Sequence, residues 1–184
     1  MSMIFKYAIL VIVFSVFSSA HAEYSMKEFF SLIENNQTKE LEEWIQKEKK
    51  PNKQFNSIPA IALTVIDGCF YDPLKIFIKY GADINTKDRV LGASLVHYAA
   101  RHTNTSCLEL LIEKGASVME VDFQGETAYF SAIHKNGSKA INLLFEAGTP
   151  LTKTNNHGLD PIHYSIFLGQ PELFKQVLSK HLKK

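Results

Sequence analysis

Histidine and cysteine are the side chains with which this 184-residue chain would do chemistry; it holds seven of the first and two of the second. A neutral imidazole can ligate a metal or carry a proton near neutral pH. His102 and His134 are the pair that a fold could bring together, but a tetrahedral site needs further ligands, and none lies at ligand spacing from either. Cys69 and Cys107 form a disulfide if their Cα atoms come within about 7 Å, and otherwise serve as small buried hydrophobes. Ser25-Met26-Lys27-Glu28 has the S-x-x-E spacing of a capping box ahead of an apolar helix, which accounts for it better than a catalytic cluster does. The chain contains no G-x-S-x-G elbow, phosphate-binding loop, H-E-x-x-H or C-x-x-C. We therefore expect no catalytic residue, no metal ligand and no cofactor.

Composition narrows the class of protein that must position these residues. At 46% hydrophobic and 21% charged the chain reads as globular, which excludes a disordered tail and a polytopic membrane protein. The first 22 residues differ in style from the rest. Lys6 precedes an apolar run from Ala8 to Phe17, and small residues follow, ending Ala20-His21-Ala22. Those are the three parts of a cleaved secretory signal peptide. The run is about half of the roughly 20 residues a membrane span needs. No cysteine lies near the cleavage point, so a lipoprotein anchor is not expected. Since Lys6 is the only charged side chain of the leader, the remainder carries 20 − 1 = 19 basic against 19 acidic residues. A neutral chain offers no general attraction to nucleic acid or to an anionic membrane. The expected location is the periplasm, with secretion as the alternative.

Past the leader, one phrase recurs. Phe77 to Asn85 (FIKYGADIN), Leu111 to Met119 (LIEKGASVM) and Leu144 to Thr152 (LFEAGTPLT) carry glycines at 81, 115 and 148, spaced by 34 and 33. An amphipathic helical pattern precedes each glycine, as in Leu108, Leu111 and Ile112, and the glycine supplies the left-handed residue that ends the helix. A second phrase opens a shorter helix upstream: Leu95 to Ala100 (LVHYAA), Ala128 to Ala132 (AYFSA) and Pro161 to Ser165 (PIHYS). The unit is turn, short helix, longer helix, glycine and extended loop.

This unit resembles the ankyrin repeat, whose period is 33 residues and whose fingerprint joins T-P-L-H-x-A to a helix and G-A-D-x-N. The resemblance implies an all-α solenoid of about five helix-turn-helix repeats with extended loops, over residues 23–184. The expected units are 23–52, 53–85, 86–118, 119–151 and 152–184, the outer two acting as caps. It also implies that His97 and His163 are structural, at the motif position whose imidazole bonds neighbouring backbone. Met26 to Asn52 reads as a diverged first unit, with helices around Phe29 to Glu34 and Lys39 to Lys47. Trp44 is expected in the core beside Leu41 and Ile45, and Lys47, Lys49 and Lys50 form a solvated helix end.

What remains is a surface for binding. In such solenoids loop tips and first helices form a concave face. The expected partner-binding residues are Phe55, Arg89, Val90, Leu91 and Phe123 at loop tips, Arg101, His102 and His134 on the concave side, and Asn156 and His157 on the last tip. Cys69 and Cys107 are a candidate disulfide. The resemblance to small exported bacterial ankyrin proteins implies a monomer without enzymatic activity that binds a protein. Its leading specific role is immunity against an envelope-acting toxin such as a type VI phospholipase effector. The alternatives are an accessory to a catalase-like or stress-response enzyme, and an adaptor secreted into a host.

Overall fold

A computed structural model of the chain describes residues 28–48, 51–135 and 137–182. The leader, Ser25 to Lys27 of the capping box, and Lys49 and Lys50 lie outside the described residues. So does the side chain of Lys47.

Among the described residues ten helical segments alternate between two layers. The first helices of successive units are residues 28–34, a 3₁₀ helix at Ala60–Thr64, Leu95–Ala100, Ala128–His134 and Pro161–Phe167. The second helices are Thr38–Glu48, Tyr71–Lys79, Ser106–Glu113, Ser138–Glu146 and Pro171–His181. First helices pack on first helices and second on second, so the apolar interior runs along the stack from Phe29 to Val177.

Local chemistry sets the ends of these helices. Three second helices end alike at Gly81, Gly115 and Gly148, with φ of 77°, 81° and 90°. The amide after each glycine donates to a carbonyl five residues back, Ala82 to Phe77, Ala116 to Leu111 and Thr149 to Leu144. That Schellman closure satisfies carbonyls the helix leaves open. First helices begin at Ser94, Thr127 and Asp160, and the Asp160 carboxylate accepts the His163 amide at 2.8 Å. The aspartate standing where the family motif has threonine thus does a capping residue's work.

The second unit departs from the expected pattern. Its first helix is the short 3₁₀ segment, entered after Pro59 and closed by the Thr64 hydroxyl donating to the Ile61 carbonyl at 2.6 Å. The loop ahead of it pairs as a small hairpin, Gln54–Phe55 against Ile58–Pro59, about a turn with Asn56 and Ser57 at φ of 48° and 80°. This adds a fragment of β structure to the expected all-α solenoid. Cys69 and Cys107 are joined as a disulfide with a Cα separation of 5.6 Å. The bridge ties the loop after the 3₁₀ segment to the second helix of the third unit.

Candidate partner-binding surface

The loop tips are built from the same hydrogen bonds three times. Asp88, Asp122 and Asn155 each turn a side-chain oxygen back onto the loop that follows. Asp88 Oδ1 accepts from the amides of Val90 and Leu91, both at 2.7 Å, and its Oδ2 accepts from Ala93 and from the Tyr98 hydroxyl at 3.0 Å. Asp122 Oδ1 accepts from Gln124 and Glu126, and Asn155 Oδ1 from His157 and Leu159. Short polar side chains that bond their own backbone two residues on are the usual makers of such turns.

Successive tips are also hydrogen-bonded to one another. The Arg89 amide donates to the Ser57 carbonyl, Phe123 to Leu91 and Asn156 to Gln124, at 2.8 to 2.9 Å. The second of these contacts shapes an apolar patch. Gly92 stands at φ 69°, and the Phe123 ring lies over it so closely that a Cβ there would come within 2.6 Å of the ring. Val90, Leu91 and Phe123 are 56%, 49% and 63% exposed. Arg89, Asn156 and His157 are exposed on the same row of tips, and Asn156 also donates from Nδ2 to the Phe123 carbonyl at 2.9 Å.

Phe55 does not belong to this patch. It is 5% exposed, its ring 5.2 Å from that of Phe29 and 6.1 Å from that of Trp44. Pairing in the hairpin turns Gln54 outward and Phe55 inward, so a residue expected as a surface anchor is part of the interior. Trp44 is half-buried against Phe29 at 5.0 Å.

The histidines divide by the bonds they make. His97 is buried; its Nε2 donates to the Glu126 carbonyl at 2.9 Å and its Nδ1 accepts from the Ser94 amide at 3.2 Å. A carbonyl can only accept, so the proton sits on Nε2. Burial holds this ring below its ordinary pKa. His102 is half-buried and donates from Nε2 to the Val65 carbonyl of the preceding unit at 2.6 Å. His163 bonds Asp160, the residue that caps its own helix, at 2.8 Å. His134 is exposed at the end of its helix. Burial, then Lys135, then Arg101 hold its pKa down. No group of three or more His, Cys, Asp or Glu among the described residues is arranged to hold a metal ion, and none of their helices is long and apolar enough to cross a membrane.

The sequence reading missed an aromatic group at the last of the first helices. Tyr164 packs on Phe130 at 5.1 Å and stacks on Phe167 at 6.4 Å, and Phe167 is 72% exposed. The signal was present: positions 101, 134 and 167 follow one another at 33 residues.

A repeating pair of helices, a glycine closure and a row of hydrogen-bonded tips together define a solenoid of interaction modules. The family model for ankyrin repeats in three copies matches residues 60–155, and the chain belongs to the ankyrin-repeat family. It is 29% identical to the human transient receptor potential cation channel subfamily A member 1 over 110 residues, 58% of this chain and 10% of that protein. It is 30% identical to ankyrin repeat and SOCS box protein 6 of Pongo abelii, over 53% of this chain and 25% of that one. With the putative ankyrin repeat protein FPV223 of Fowlpox virus (strain NVSL) it shares 23% identity over 55% of this chain and 94% of the viral one. The chain spans about a tenth to a quarter of the length of the first two of these relatives. Ankyrin repeats are in general protein-interaction modules without enzymatic activity.

Proposed function

We propose that the chain is exported to the periplasm and that its mature part, residues 23–184, binds one protein partner through the loop tips, without catalysis. The observation that carries this reading is the Val90, Leu91 and Phe123 patch, held in place by side-chain and inter-tip hydrogen bonds. An exposed apolar cluster on an ordered frame is the kind of surface that anchors a partner. The leader pattern of residues 1–22 and the disulfide support export, since disulfides persist in oxidising compartments. We further propose that the partner is a toxin acting in the cell envelope, which this protein neutralises by covering its active-site cleft.

The test begins with the mature chain as crosslinking bait in a periplasmic extract. Capture of an envelope-acting hydrolase, lost in the Leu91→Asp, Phe123→Asp double variant with its fold intact, is the expected outcome. A strain lacking the gene should be killed by toxin-bearing kin and rescued by the wild-type chain. Normal survival of that strain would overturn the immunity role, and crosslinks confined to the second helices would overturn the placement of the interface.

A further inference from the structure

The ends of the first helices carry a second, differently built surface. Arg101, just past the end of its helix, and His134 and Phe167, the last residues of theirs, close the first helices of three successive units, with 134 − 101 = 33 and 167 − 134 = 33 residues between them. Lys135 is exposed next to His134. Among the described residues no ion pair joins Arg101 or Lys135 to a carboxylate. The carboxylates at the tip bases are engaged elsewhere: Asp122 bonds its own loop, and Glu126 accepts from Asn155 at 2.9 Å. Their charge reaches Tyr164, whose hydroxyl pKa is raised by burial and then by Glu126 and Asp122. The strip is therefore graded, with positive charge outside any ion pair at half-buried Arg101 and exposed Lys135 and, at its end, half-buried Tyr164 stacked on exposed Phe167.

We infer that this strip receives an acidic segment of the protein partner in polyproline II conformation, two carboxylates meeting Arg101 and the His134–Lys135 pair and one apolar side chain meeting Tyr164 and Phe167. Charge complementarity selects the acids, because residues 23–184 balance at 20 − 1 = 19 basic against 19 acidic side chains and the field at this face is local. Geometry selects the conformation. Packed helices stand about 8–10 Å apart. A polyproline II chain advances about 3.1 Å per residue with three residues per turn, so side chains i, i+3 and i+6 share a face at about 9 Å intervals. A β-strand would send i and i+3 to opposite sides. The partner segment thus has the form acid-x-x-acid-x-x-apolar. This deepens the proposed partner-binding role and rests on it.

The test uses fluorescein-labelled, proline-rich dodecapeptides and fluorescence anisotropy with the oxidised mature chain. A peptide with Glu at i and i+3 and Phe at i+6 should bind. Moving one Glu by a single position, or replacing both by Lys, should weaken binding at least tenfold. Arg101→Glu, Lys135→Glu and Phe167→Ala should each weaken it at least fivefold with an unchanged melting temperature. Equal binding of all the peptides, or variants that fold and bind like wild type, would overturn the inference. If Arg101→Glu fails to fold, the Lys135→Glu and Phe167→Ala results decide. The Leu91→Asp, Phe123→Asp chain separates the two readings. Peptides that bind it normally while the folded partner does not would leave this inference standing. Partner capture by wild type with no peptide bound would remove the inference and leave the tip interface.

Discussion

His97 is held as a neutral ring by what surrounds it: one nitrogen donates across to the next unit and the other accepts within its own helix cap. Protonation would put a second donor against the Ser94 amide. Its folded pKa lies below the ordinary 6.5, so the unfolded chain takes up the proton first and acid favours unfolding. Stability should fall as pH drops through about 6.5 and level off below the folded pKa. Urea midpoints of wild type and His97→Gln between pH 7.5 and 5 should show a steeper acid loss in wild type; parallel curves would refute the assignment. His97 was legible because the repeat places it. Phe55 was not, because its direction depends on a two-residue strand pairing that no periodicity announces.

The second helices and their glycine closures were legible because Gly81, Gly115 and Gly148 mark a left-handed position that other residues occupy at a cost of about 1–2 kcal/mol. The first helix of the second unit was not, since Ile58 to Thr64 lacks the motif and tightens into a 3₁₀ turn after Pro59. The tips sit between these cases: their residues were readable as loops, their mutual hydrogen bonds were not. Gly92→Ala tests that architecture. The alanine would meet both a left-handed backbone and the Phe123 ring, so it should lower stability by about 1–2 kcal/mol. Partner capture should weaken with it as the ring is displaced. A denaturation midpoint equal to wild type would show that the ring and the loop adjust freely.

Across the molecule, the disulfide spans 38 residues and fastens the least regular unit to its neighbour. Closing a loop of that length in the unfolded chain accounts for about 3–4 kcal/mol on the chain-entropy model. Reduction, or a Cys69→Ser, Cys107→Ser double substitution, should lower the unfolding free energy by about that much. Hydrogen exchange should rise first in units one and two, and exchange rising equally in all units would contradict this.

The tip ladder has a sense of direction. Each link runs from the amide of a later tip to the carbonyl of an earlier one, from Asn156 back through Phe123 and Leu91 to Ser57. Among the described tips the first contributes its Ser57 carbonyl to the row and the last contributes its Asn156 amide. The row is therefore polar, with an acceptor given at one end and a donor given at the other.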